Sequence, residues 1–148
     1  MQSLDALVTR LSPQRLWRST PATPEAIAQA EAALGVTFPP SYKAFLARYG
    51  AMSFIDVTIS GIIDNGLDQE GGSVVADTTR FRSEWRLPIH YVVIQPNYQA
   101  PYCLDTRKPD AAGECPAVCY EVLPARDSGA IARSFAEWVE LFFVPSVE

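Results

Sequence analysis

The order of segments along this chain spells an α+β protein, with helices first, short antiparallel strands through the middle and a helix at the end. Three observations carry that reading. From Thr23 to Tyr49 apolar residues recur at helical spacing, and between Ile55 and Val122 strand-length apolar runs alternate with turn signals around one further helical stretch. Near the C-terminus, Ser134 and Glu137 stand in the S-x-x-E pattern of a helix start. A chain of 148 residues, 48% hydrophobic and 20% charged, fits one domain spanning residues 1–148. Roughly 70% of its unfolded surface is buried at that length, so neither disulfide nor metal is needed to fold.

Leu4, Leu7, Val8 and Leu11 fall at i, i+3, i+4 and i+7 behind Ser3, a cap residue type, which predicts a short helix ending near Ser12-Pro13. Trp17 follows in a polar loop and either covers the edge of the core or sits exposed at a partner surface; the first is favoured, because tryptophan is highly buried on average. The next helix is marked at both ends. Thr23 caps it, Pro24 suits its first turn, Glu25 sits near the positive end of the dipole and Gly35 stops it. Ile27, Ala30 and Leu34 form its inward stripe. Phe38-Pro39-Pro40 makes an extended corner, after which Tyr42, Phe45, Leu46 and Tyr49 repeat at helical spacing until Gly50.

Beyond Gly50 the period changes to two: Ile55, Val57 and Ile59 alternate with Asp56, Thr58 and Ser60, predicting a strand with one wet face. Gly61 is a bulge candidate and Asp64-Asn65-Gly66 a turn. An acidic loop with Asp68 and Glu70 runs to Gly71-Gly72; it lacks the alternating ligands and the terminal Glu of a calcium loop. Ser73 caps a helix with Val74, Thr78, Phe81 and Trp85 on one stripe, ended by Leu87-Pro88. His90 to Ile94 reads as a central strand, Tyr102 to Asp105 as its return and Ala117 to Val122 as a third, joined in an antiparallel meander by a turn at Pro96 to Pro101 and a loop at Thr106 to Cys115. The last helix buries Phe135, Trp138, Leu141 and Phe142 and ends at Pro145.

Taken in order, these segments resemble the SUKH superfamily, named after the yeast cell-wall regulator homology domain. The pattern I-A-x-A-E-x-x-L-G at Ile27 to Gly35, an apolar residue and Pro at Phe38-Pro39, and S-Y-K-x-F-L-x-x-Y-G at Ser41 to Gly50 match its opening. Leu87-Pro88 before an apolar strand, Cys103-Leu104-Asp105, and Ala132 to Trp138 with its Ser-Phe pair match later motifs, so the likeness covers roughly residues 23 to 144. One departure is the loop Pro96-Asn97-Tyr98-Gln99-Ala100-Pro101, where the family often has a Gly- and Asp-rich hairpin; binding residues are therefore not carried over there. The resemblance implies a twisted, mainly antiparallel sheet flanked by N-terminal helices and a C-terminal helix. It also implies a bacterial role as a cytoplasmic immunity protein that binds and silences a toxin.

Charge and chemistry are read from the residues themselves. Net charge is −5, and residues 51–148 hold fourteen acids against seven bases, whereas residues 1–50 hold three against five. No base falls between Arg48 and Arg80, while Asp56, Asp64, Asp68, Glu70 and Asp77 do. Such a surface repels nucleic acid and anionic membrane and attracts basic partners. Cys103, Cys115 and Cys119 make an odd count that suits a reducing compartment, and with His90 the only histidine a zinc site lacks ligands. No apolar run approaches the ~18 residues of a membrane span. No nucleophile with its base and no phosphate cradle is found, so no cofactor and no enzymatic activity are expected. The candidate binding residues are Asp56, Asp64, Asp68, Glu70 and Asp77 for charge, with Tyr98 and Tyr102 as anchors, and the expected partner is a cognate toxin with a basic surface. The alternatives are a non-enzymatic adaptor or scaffold for a host protein, and an uncharacterised hydrolase.

Overall fold

The structure, a computed structural model, describes residues 2–11, 14–67 and 71–147. Its α1 (Gln2–Arg10) buries Leu4 and Leu7 and half-buries Val8, with Ser3 inside the helix rather than capping it. In α2 (Pro24–Leu34) the Thr23 hydroxyl accepts the Ala26 N–H at 3.1 Å, and Gly35 at φ 70° closes the helix by donating to Glu31 at 2.8 Å. The stripe Ile27, Ala30 and Leu34 is buried as predicted. Glu31 fixes the corner that follows: its carboxylate accepts the Phe38 N–H at 2.7 Å and pairs with Lys43 at 3.3 Å. α3 (Pro40–Tyr49) then buries Tyr42, Phe45, Leu46 and Tyr49. Each such side chain contributes roughly 1.5–3 kcal/mol of apolar transfer, so this helical pair anchors the core.

The expected strand through Ile55 is a hairpin instead. β1 (Leu16–Arg18), β2 (Met52–Phe54) and β3 (Val57–Ile59) form an antiparallel sheet in that order, with Phe54 opposite Val57 and only Ile55 and Asp56 between them. A two-residue loop preserves the alternation of apolar and polar residues, which is why the sequence pattern hides the reversal. β1 had no sequence signal beyond Leu16 and Trp17. Trp17, expected at the core edge, is 46% exposed because it lies opposite Ser53 on the sheet's outward face.

α4 (Val74–Trp85) is capped by Ser73, whose hydroxyl accepts the Ala76 N–H at 3.2 Å. β4 (Tyr91–Gln95), β5 (Tyr102–Asp105), β6 (Ala117–Glu121) and β7 (Arg126–Ala132) make a four-stranded antiparallel meander. Val92, Ile94, Leu104 and Ala117 face the main core with the helices, whereas Tyr91, Val93, Cys103, Val118 and Tyr120 pack with Phe81 and Leu87 in a second cluster. Burial on both faces explains the unbroken apolar run of β4. β7 escaped prediction because it is a largely exposed edge; its register shifts twice against β6, which blunts that edge against further pairing.

The C-terminal helix departs from its predicted stripe. α5 (Phe135–Trp138) passes into a π-helical turn (Val139–Phe143) and a last turn α6 (Val144–Val147), with the Val144 N–H donating five residues back to Val139. The wider turn delays the rotation of the helix, so Val139, Phe143, Val144 and Val147 point inward while Leu141 is left 54% exposed and Phe142 half-buried. Pro145 sits within this segment and does not end it. Ser134 accepts the Glu137 N–H at 3.1 Å, but Glu137 reaches back to Arg133, one residue beyond the reciprocal capping partner.

A buried polar node ties these parts together. Ser60 donates its N–H to Ile94 at 2.7 Å and its hydroxyl to Asp77 at 2.7 Å, and its carbonyl accepts from Tyr42 at 2.6 Å. Thr78 beside it accepts the Val93 N–H at 3.0 Å.

Candidate functional site

Two hydrogen bonds link the end of β3 to β4, although the strands belong to separate sheets. Ser60 meets Ile94 and the Thr58 carbonyl accepts from the Gln95 side chain at 3.0 Å, so the two strands run in opposite senses. β4 continues past Gln95 into the loop from 96 to 101. The turn after β6 lies beside that loop: Tyr120 and Val122 donate their N–H groups to Pro101 and Gln99 at 2.9 and 3.0 Å. These two neighbouring loops carry Tyr98 at 83% and Leu123 at 66% exposure, and the β2–β3 hairpin tip carries Ile55 at 72% with exposed Asp56 next to it.

Ile55 is the least expected of these. It stands at φ 51°, in the left-handed region that a β-branched residue strongly avoids, at the loop position that glycine takes in a type II′ hairpin. Tyr102, at the start of β5, belongs to the same end but turns inward; its ring packs against Trp138 and Phe142 at 5.6 and 5.8 Å, and burial raises its phenol pKa.

The other predicted residues are not gathered here. Asp64 lies at the opposite end of the three-stranded sheet, beyond Arg18 and Met52, whereas the hairpin tip lies beyond Leu16 and Phe54. There its N–H donates to the Ser19 hydroxyl at 2.9 Å, and the adjacent Asn65 side chain accepts the Thr23 N–H at 2.9 Å, so the turn steadies the start of α2. Asp77, read from sequence as a surface acid, is 2% exposed. It is corrected to a core carboxylate, because Ser60 supplies a hydroxyl donor from beyond the loop and Gly72, just ahead of the helix, a backbone one; desolvation raises its pKa against those bonds and the Arg80 charge. Asp68 and Glu70 lie outside the described residues. Leu123 and Ile55 were missed. The first sits in a turn with no pattern, and the second was absorbed into an alternation that a hairpin reproduces.

The remaining titratable cluster is internally paired. Arg107 makes a forked contact to Asp105, at 2.7 Å to Oδ2, while the Tyr91 hydroxyl donates to Asp127. Burial pushes Asp105 up, but the Arg107 hydrogen bonds and charge outweigh it and hold the carboxyl below its usual range. His90 precedes β4 in a turn, and its Nε2 is buried without a partner among the described residues; burial lowers its pKa, which keeps it neutral. Burial raises the pKa of Cys115 to about 11, far from a reactive thiolate. Among the described residues no three His, Cys, Asp or Glu side chains converge on a metal-sized site, and no helix is long and apolar enough to cross a membrane.

Comparison with known proteins gives three results. The chain is 32% identical over 92 residues to the uncharacterized protein YnaB of Bacillus subtilis (strain 168), a match covering 60% of this chain and 53% of that protein, or about half its length. A crystal structure of a protein from Pseudomonas syringae pv. tomato superposes with a TM-score of 0.70 at 12% identity, covering 97% of this chain and 98% of that one, which establishes a shared fold. The SUKH_5 family model, described as SMI1-KNR4 cell-wall, matches residues 3–143. Together with the helical pair and the meander, that match places the chain: it belongs to the SMI1-KNR4 (SUKH) family.

Proposed function

We propose that this chain is a cytoplasmic immunity protein that binds and neutralises a bacterial toxin by surface complementarity, with no chemistry of its own. The observation that carries the reading is a set of large apolar side chains exposed on loop tips, Ile55, Tyr98 and Leu123, the last two on loops joined by backbone hydrogen bonds, in a chain of this family. Large apolar side chains at a patch centre supply most of the energy of a protein interface. Asp56 adds a negative charge beside them, and the acids of the base-free stretch, Asp64, Asp68 and Glu70, favour a toxin with a basic surface, such as one that grips nucleic acid. Since Asp77 is buried and Asp64 lies at the far end, charge serves mainly to speed encounter, and the apolar tips set affinity.

Co-expression with a candidate toxin cloned from the gene neighbourhood tests the proposal. Survival is expected with the wild-type chain and loss of protection with Ile55→Asp combined with Tyr98→Asp, while both proteins accumulate folded. Failure of the wild type to protect, or full protection by the double variant, refutes it. The adaptor reading has no specific observation in its favour.

A further inference from the structure

A second surface lies on the far edge of the small sheet, away from the four-stranded one. There β1 runs as the free outer strand, and between it and α1 is a groove of ≈ 270 Å³ lined by Val8, Leu11, Leu16, Trp17 and Arg18. Its floor is apolar and its rim holds the half-exposed Trp17 indole. The charge here runs against that of the whole chain. Residues 1–24 contain one acid, Asp5, against Arg10, Arg15 and Arg18. Asp5 is already held by Arg48 at 2.9 Å and by the Tyr49 hydroxyl, which lowers its pKa through that hydroxyl first, so it does not neutralise the rim. Arg15 and Arg18 instead lie over aromatic faces, at 5.4 Å from the Phe54 ring and 5.8 Å from the Tyr49 ring, with their guanidinium groups exposed at the surface. An arginine stacked in this way is held in place while its N–H donors stay available to a carboxylate.

We infer that this groove docks an acidic segment of a partner protein, one that seats an apolar side chain between β1 and α1 against Trp17 and presents carboxylates to Arg15 and Arg18. Charge complementarity selects the occupant: Arg18 lines the apolar groove and Arg15 precedes Leu16 at its end, on a molecule of net charge −5. A long polyanion such as nucleic acid is repelled by that net charge, whereas a short acidic peptide meets mainly the local arginines, because screening confines the field to about 10 Å at 0.1 M salt.

The test uses the full chain and two fluorescein-labelled decapeptides, one alternating Glu with Leu and one alternating Lys with Leu, followed by anisotropy. Binding of the Glu peptide alone is expected, weakening severalfold between 50 and 200 mM salt. Trp17→Ala should weaken it by about tenfold. Arg15→Gln with Arg18→Gln should do likewise and remove most of the salt dependence, with far-ultraviolet circular dichroism and melting temperature checking that each variant is folded. Tyr98→Ala, on the loop at 96–101, should leave it unchanged, which separates this inference from the proposed toxin site. The inference is overturned if the wild type ignores the Glu peptide, if the Lys peptide binds as well, if the folded variants bind normally, if a decathymidylate outcompetes the peptide, or if sedimentation shows the groove closed by a second copy of the chain.

Discussion

A Cβ built on Gly61 would stand 1.9 Å from the carbonyl oxygen of Gly50, the same oxygen that accepts the Ile62 N–H at 2.8 Å. The end of α3 and the chain leaving β3 therefore touch backbone to backbone. Gly61→Ala is expected to cost about 3 kcal/mol or more, since neither backbone segment has a flexible end to yield. Gly35→Ala, at φ +70° with nothing within 4 Å, should cost only about 1 kcal/mol from conformation alone. Urea unfolding of the two variants checks the contrast.

Ile55→Gly should raise stability while lowering partner affinity. Relieving a β-branched residue at positive φ is worth about 1 kcal/mol, or roughly 3 °C in melting temperature for a domain of this size. Calorimetric scans paired with a binding titration read both effects; a variant that melts lower than wild type contradicts the strain.

Asp77→Asn is expected to be neutral or stabilising at pH 7. The folded-state pKa of Asp77 is raised, so its contribution is most favourable below the unfolded carboxyl value and declines as pH climbs through the folded one. The advantage of asparagine should thus fade as pH is lowered toward about 4. Ser60→Ala, which takes a hydroxyl donor from the buried carboxylate, should cost about 2 kcal/mol at neutral pH. Denaturant midpoints across pH 4 to 8 test both variants.

Arg107→Gln carries the opposite sign. Asp105 is held below its usual range, so its stabilisation is present above the unfolded carboxyl value and lost as pH falls through the folded one. Thermal melts should show the variant lower than wild type near pH 7 by a few degrees at most, with the two curves converging in acid.

Sequence revealed the elements whose boundaries are set locally. Thr23 and Gly35 mark α2 by their own conformations, Ser73 marks α4, and β5 begins and ends where its apolar run does. What it hid was decided at a distance. The hairpin at Ile55 keeps the alternation of a single strand, and the π-helical turn swaps Leu141 for Phe143 without altering residue spacing. A carboxylate at 77 looks solvated until residue 60 supplies its partner. Of the site, Asp56 and Tyr98 were found as residues, and Leu123 is brought to Tyr98 only through backbone bonds to the loop at 99 to 101.

The serine at position 60 has one more implication. Because it engages Tyr42 of α3, Asp77 of α4 and Ile94 of β4 at once, those three elements cannot shift independently, and the loops they bear are presented on a stiff chassis. A partner arriving at those loops loses little free energy to ordering them, so affinity matured at Ile55 or Tyr98 is carried to the bound state nearly undiminished. Tip residues can then be exchanged to follow a changing target while the frame beneath them stays as it is.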